Sequence, residues 1–142
     1  MVEPTLVLTD APSDAAQAII EDGLAQYNEE QAGYRDLRDL AVLVTGAGDN
    51  VRGGLLGRTS LGLLFVDLFY LPPDLRKSGI GGRLLQMAEE EAGRRGCVSA
   101  VLFTISFQAP AFYARHGWRE VGRIPCLPAG TCRVVMSKRL TP

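Results

Sequence analysis

Arg76-Lys77-Ser78-Gly79-Ile80-Gly81-Gly82-Arg83-Leu84-Leu85 lies between an apolar, strand-like run ending near Leu71 and an amphipathic helical pattern that continues to about Arg95. A strand, a glycine loop and a helix start in that order make a candidate anion cradle. Glycines at 79, 81 and 82 remove β-carbons that would block a ligand, and the first N–H groups of the helix have no partner inside it. A diphosphate suits such a site, with Arg76, Lys77 and Arg83 supplying positive charge. A turn that only redirects the chain, with those cations solvated, uses the same residues. Two familiar phosphate loops do not fit. A Walker A loop needs Gly-Lys-Ser/Thr where this chain has Gly82-Arg83-Leu84, and a dinucleotide fingerprint needs a third glycine at 84, which is leucine.

The apolar run before the loop predicts a strand from Gly62 to Leu71. Val51 to Thr59 precedes it across a joint at Thr59-Ser60-Leu61, and Arg38 to Val44 precedes that across a turn at Gly46-Ala47-Gly48-Asp49-Asn50, giving an antiparallel meander. Farther upstream, Thr5 to Thr9 reads as a first strand. Asp10-Ala11-Pro12-Ser13-Asp14 then punctuates before a helix from about Ala15 to Glu29, with Ile19, Ile20, Leu24 and Tyr27 as its buried face. After the loop, Ile80, Leu84, Leu85, Ala88 and Ala92 recur at helical spacing, and Gly96 is a natural stop. Val98 to Thr104 is an almost unbroken apolar run, expected to be a central strand packed on both faces and parallel to the strand before the helix. Ser106 to His116 reads as a shorter helix with Pro110 near its first turn. Trp118 to Ile124 and Thr131 to Lys138 read as a closing hairpin around residues 125–130.

The 142 residues suit one domain, 1–142, able to bury roughly 70% of its unfolded surface without disulfide or metal staples. A hydrophobic fraction of 46% with no apolar run of membrane-spanning length argues against a membrane protein. The start of the chain has neither a basic n-region nor an apolar h-region, so the cytoplasm is the expected location. A net charge of −1 offers no basic stripe for nucleic acid. Cys97, Cys126 and Cys132 show no Cys-x-x-Cys spacing and no metal constellation with the single histidine, His116, so reduced structural thiols and no metal are expected.

The Arg-x-x-Gly-x-Gly spacing of residues 76–81, set after a strand and before a helix, resembles the cofactor motif of the GNAT superfamily of N-acetyltransferases. Phe112-Tyr113-Ala114-Arg115-His116-Gly117-Trp118 is similar to that superfamily's Tyr-x-x-x-Gly-Phe, and the order of elements follows its core over nearly the whole chain. The resemblance implies an α/β fold with a mixed, mostly antiparallel sheet of about seven strands flanked by helices. It also implies acetyl-CoA as cosubstrate, with its pyrophosphate on the backbone of Lys77, Ser78, Gly79, Ile80, Gly81 and Gly82 and on the Arg76 and Arg83 side chains. In the family the strand before the loop splays from its neighbour at a bulge and pantetheine lies between them, which places Phe69 and Leu71 backbone groups on the cofactor. The Phe69 N–H is then the oxyanion donor, and Tyr113 the acid that protonates the leaving sulfur. A phenol with an ordinary pKa near 10 is protonated at neutral pH, as that role requires.

Asp67 interrupts an otherwise apolar strand, so a desolvated carboxylate there needs a partner or a purpose. Strand alternation places it with Phe65 and Phe69. Many relatives carry an acid at this position, which implies proton acceptance from, or anchoring of, the incoming ammonium; a structural pair with an arginine is the alternative. A primary amine is only about 0.04% neutral at pH 7, so a proton acceptor is needed. Where many relatives place a pantetheine-binding asparagine, this chain has Ser106, which could cap the following helix, and Gln108 can offer an amide from the next turn. Tyr27, Glu29, Glu30, Tyr34 and Asp36 favour a cationic amine at the acceptor mouth or form a solvated face. The leading reading is transfer of acetyl to a small-molecule amine in a ternary complex. Alternatives are a CoA-binding regulatory protein without turnover and an enzyme acting on a protein lysine or N-terminus. A homodimer is implied by the resemblance.

Overall fold

Residues 2–141 are described by the computed structural model, and the chain forms two compact units, one up to Arg35 and one from Asp36 onward. In the first, Ser13 starts helix α1 (Asp14–Ala32) by accepting the Ala16 N–H at 3.1 Å, and Gly33 stops it in the left-handed conformation at φ 91°. The expected buried face of α1 is not formed. Ile19, Ile20, Leu24 and Tyr27 are each at least 60% exposed, because a unit made of one helix and an irregular segment has no second layer to cover an apolar stripe. The expected strand at Thr5 to Thr9 is likewise absent, since an isolated extended segment has no ladder partner for its backbone groups.

The second unit holds a six-stranded sheet in the order β1 (Arg38–Thr45), β2 (Val51–Ser60), β3 (Leu63–Tyr70), β4 (Ser99–Ile105), β6 (Cys132–Arg139), β5 (Arg119–Pro125). All neighbours are antiparallel except β3 and β4, which are joined by the crossover helix α2 (Ile80–Arg94). The α/β architecture is the expected one, with six strands rather than seven because residues 5–9 do not pair. Helix α3 (Pro110–Arg115) is only six residues long: Pro110 opens it, and the chain from Ser106 to Ala109 turns instead of coiling.

Leu85, Ala88 and Ala92 press one face of α2 onto Leu55, Leu64, Ala100, Leu102, Val134 and Met136 of the sheet, and Leu84 is buried beside them on the helix. Burying a leucine side chain such as Leu85 stabilises by about 1.5–3 kcal/mol, so this face supplies much of the core. At its C-terminus, α2 is tied to the meander by Arg95. That guanidinium takes Glu91 at 2.8 Å and donates to the Asp39 carbonyl at 3.0 Å and the Thr59 hydroxyl at 3.1 Å. Strand β4 is buried on one face only: Ala100, Leu102 and Thr104 point to α2, whereas Phe103 is 62% exposed. Its continuous apolar sequence therefore overstates its burial.

Candidate active site

Parallel pairing of β3 with β4 covers only Leu63–Val66 against Ser99–Leu102, and beyond it the two strands separate. The cause lies on the other edge of β3. Leu56 pairs with Leu68 and Gly57 with Val66, so Asp67 is an extra residue, a β-bulge that bends the strand away from β4. The opening between the strands is a cavity of about 750 Å³. Its walls include Asp67, Phe69, Leu71, Arg76, Lys77, Thr104, Gln108, Phe112, Tyr113 and Arg133. Backbone groups of β3 past the bulge that face β4 have no ladder partner there, and so are free for a ligand that lies along them.

The glycine loop meets this cavity at Arg76 and Lys77, whereas Ser78, Gly79, Ile80, Gly81 and Gly82 are not among its walls. Among the described residues no acceptor takes the N–H groups of the six consecutive residues 77–82. Lys77 adopts the left-handed conformation at φ 61° and Gly79 at φ 85°, which turns successive N–H groups toward a common point at the start of α2. The Ser78 hydroxyl is turned back to the Leu75 carbonyl. Arg76 donates its Nε–H to the Leu71 carbonyl at 2.9 Å, which fixes the guanidinium at the cavity wall.

The three glycines differ in what they do. A β-carbon on Gly79 would meet nothing within 4 Å, so its need is the positive φ. On Gly81 a β-carbon would lie 3.2 Å from the Phe112 ring, and on Gly82 it would lie 2.6 Å from His116 Cε1. Two of the three therefore serve the close approach of α2 to α3 rather than clearance for a ligand, a distinction that spacing alone cannot make. Arg83 stands apart from the main cavity and lines a smaller one of about 470 Å³ with Gly79, Gly82, Gln86, Glu89, His116 and Lys138.

Tyr113 is held by α3 in an aromatic group: its ring lies 6.2 Å from Phe69, 5.2 Å from Phe112 and 6.0 Å from Trp118, centroid to centroid. It is 7% exposed, and burial pushes its phenol up to about 12. No hydrogen bond to another described group engages the hydroxyl, and among the described residues no buried side-chain polar atom is left unsatisfied, so the oxygen opens toward the cavity that Tyr113 lines. A protonated donor is thereby fixed across the physiological range. The folded pKa stands above the unfolded value near 10, so this contribution to stability is intact below pH 10 and falls away as pH rises toward 12. Unfolding by urea between pH 9 and pH 12 is expected to show the protein losing up to ~2–3 kcal/mol more than a Tyr113→Phe variant, which has no group to titrate. Identical pH dependence in the two would remove the claim.

Asp67 departs from the expectation of a desolvated carboxylate. The bulge breaks the alternation, so Asp67 does not share a face with Phe69, whose ring packs on the helix side against Phe112 at 5.8 Å. Its side chain is 44% exposed and binds Arg58 Nη1 at 2.7 Å, while the Arg58 guanidinium sits 4.3 Å from the centre of the Phe65 ring. Ser106 is not among the cavity walls. It does not cap α3 either, since its hydroxyl accepts the Cys132 N–H at 3.0 Å and holds the end of β4 to β6. Gln108 does line the cavity. Its carbonyl oxygen accepts the Ile105 N–H at 2.8 Å and the Thr104 hydroxyl at 3.3 Å, leaving the side-chain NH2 as a donor.

Sequence reasoning misses Phe112, Arg58 and Arg133. Phe112 could be found as the residue adjoining the tyrosine, and Arg133 as a cation beside the buried Val134 on β6. Cys97 lies in the core with its thiol pushed up by burial, then by Asp36, which makes it a poor nucleophile. No helix among the described residues is long and apolar enough to cross a membrane.

A bulged strand splayed from its parallel neighbour, a helix start with free N–H groups and an aromatic wall together describe a fold of the GNAT type, and comparison with known proteins agrees. The family model "Acetyltransferase (GNAT) domain" matches residues 24–120, and the chain belongs to this family of acetyltransferases. The acetyltransferase Atu2258 of Agrobacterium fabrum is 38% identical over 133 residues, 94% of this chain and 97% of that protein. Blasticidin-S acetyltransferase of Streptomyces morookaense is 36% identical over 107 residues, 75% of this chain and 79% of that one. Among solved structures, one from Agrobacterium tumefaciens described as an acetyltransferase superposes with a TM-score of 0.87 at 37% identity, covering 96% of this chain and 99% of the other.

Proposed function

We propose that this acetyltransferase is a cytoplasmic N-acetyltransferase that moves the acetyl group of acetyl-CoA to an amine of a small molecule, by direct attack in a ternary complex, and that it works as a homodimer. The observation that carries the reading is the run of free N–H groups at residues 77–82, which begins at Lys77 on the wall of the cavity that also holds the unbonded Tyr113 hydroxyl. A small-molecule acceptor is favoured by the relative named for blasticidin S. Acetyl-CoA, when bound, supplies the acetyl group as a thioester, and the remaining work falls to the chain.

In this reading the backbone of residues 77–82 holds the pyrophosphate, with Arg76 and Lys77 adding charge-assisted contacts. The free Gln108 NH2 takes the pantetheine contact in place of Ser106, whose hydroxyl is already engaged with β6. Arg83, on the smaller cavity, serves the outer part of CoA. Phe69 and Leu71 line the opening, the Leu71 carbonyl being held by Arg76, and in this reading the Phe69 N–H stabilises negative charge developing on the acyl oxygen. Tyr113 gives its proton to the departing sulfur as the bond to carbon breaks; a thiol's ordinary pKa near 8.5 lies below the phenol's, so the thiolate is the weaker base, and the proton lost by the attacking nitrogen restores the phenol. Direct attack is supported by the nucleophiles at hand: the cavity walls include no cysteine or serine, and the Thr104 hydroxyl is bound to Gln108.

Asp67 anchors the ammonium and takes its proton through water. Its pair with Arg58 is about half exposed on both sides, so it is worth little to stability and can be exchanged for a substrate amine. Thiol release from acetyl-CoA across a panel of amines tests the whole reading. Asp67→Asn is expected to lower kcat/KM for the amine by about 10–100-fold, the loss of one charge-assisted contact, while CoA affinity stays within about twofold. CoA binding without release for every amine and peptide would leave a regulatory protein instead, and unchanged kcat/KM would remove Asp67 from the site.

A further inference from the structure

We propose that Arg133 is the specificity-determining residue for the acceptor, and that the acceptor amine carries an anionic group, a carboxylate or phosphate, which this guanidinium binds; the inference rests on the N-acetyltransferase reading. The cavity walls include three cations, Arg76, Lys77 and Arg133. Arg76 and Lys77 belong to the glycine loop at the start of α2. Arg133 comes from β6, on the far side of β4, and among the described residues no hydrogen bond or ion pair engages its side chain.

Its orientation follows from the register. Arg133 is the cross-strand partner of Ile105, and its neighbour Val134, the partner of Thr104, is fully buried on the α2 face. Alternation therefore sends the Arg133 side chain to the opposite face, which Phe103 also lines. The exposed side of the bulge, at Asp67 and Leu68, is on that face too. Val66, on the bulge's other flank, is buried toward the core. The donor cradle and the Phe69, Phe112 and Tyr113 rings stand on the α2 side, so Arg133 is placed away from the pyrophosphate site and on the side left open to the second substrate.

Asp67 and Arg133 then flank that side with opposite charges. They lie two strands apart with an offset of about two residues along the sheet, and because β3 and β4 separate beyond Val66 the gap exceeds the roughly 10 Å of two paired-strand spacings. A substrate that satisfies both has its ammonium and its acid separated by several bonds. A carboxylate or phosphate accepts two parallel N–H bonds from a guanidinium, a geometry a lysine could not reproduce.

The test compares ω-aminocarboxylates and aminoalkyl phosphates of increasing chain length with plain alkylamines of the same length, reading thiol release by the intact protein. The acid-bearing amines are expected to show KM values at least about tenfold lower, the worth of one charge-assisted contact. Arg133→Gln should erase that advantage, leaving plain amines and CoA affinity unchanged. Arg133→Lys should restore only part of it. Equal KM for the two series, or an equal loss for both in Arg133→Gln, would overturn the assignment. If no amine releases thiol, the N-acetyltransferase reading has failed by itself, and calorimetry with CoA present decides the inference. Binding of the aminocarboxylate by the native protein that is lost in Arg133→Gln supports it, and binding that is absent or equal in both refutes it.

Discussion

Tyr113→Phe is expected to lower kcat by about 10²–10⁴-fold, the usual contribution of a positioned general acid, with acetyl-CoA affinity within about threefold of the native protein. The hydroxyl makes no contact that the fold depends on, and the ring remains to pack against Phe69, Phe112 and Trp118. A fall in kcat without a fall in stability below pH 10 therefore separates proton donation from packing. Acyl donors with more acidic thiol leaving groups sharpen the result, because a better leaving group needs less help from an acid; the defect should shrink with them. A Tyr113→Phe protein with more than about a third of native kcat would show that the sulfur takes its proton from elsewhere.

The second large effect concerns Gly82. A methyl group there would lie 2.6 Å from His116 Cε1, and the imidazole, which packs at a tilt against Phe112 with centroids 4.8 Å apart, must shift to admit it. Gly82→Ala is expected to destabilise the fold by about 1–3 kcal/mol, a cost typical of overpacking, and to weaken CoA binding by shifting the start of α2. Combining it with His116→Ala should recover most of the loss, a coupling well above the ~0.5 kcal/mol scatter of independent sites. Additive effects in thermal unfolding would mean that the two groups do not oppose one another. The same geometry warns that Gly81 is an unsuitable place to probe the phosphate site, since any side chain there meets Phe112 before it meets a ligand.

Much of the fold is legible in the chain because its signals are local. The helical spacing of Leu84, Leu85, Ala88 and Ala92 locates α2 and its buried face, and Gly96, at φ 86°, ends the helix as its position suggests. The three-strand meander follows from glycine-marked turns. What misleads is burial. The apolar run of β4 suggests cover on both faces and the stripe of α1 suggests a packed face, but hydrophobic sequence records a tendency to be covered, not the presence of a cover.

The candidate site divides in the same way. Asp67, Phe69, Leu71, Arg76, Lys77 and Tyr113, chosen from the sequence, stand around one cavity, whereas Ser106 is turned to Cys132 and Arg83 lines a neighbouring hollow. Arg133 is far along the chain from the glycine loop and reaches the same cavity only because β6 inserts between β4 and β5. No spacing in the sequence announces that it will border an opening made by a bulge on β3.

From Arg38 onward the order of elements and the glycine loop with its helix start were readable in the chain alone, because backbone conformation and hydrophobic period are properties of neighbouring residues, while Tyr113 was chosen by resemblance to a family motif. Contacts in the folded chain alone reveal which glycines serve packing, that Asp67 is half exposed and paired with Arg58, and that Arg133 meets the far side of the opening. Those facts depend on strand register and on contacts between distant segments, and a single extra residue at the bulge was enough to reverse the face that alternation assigned.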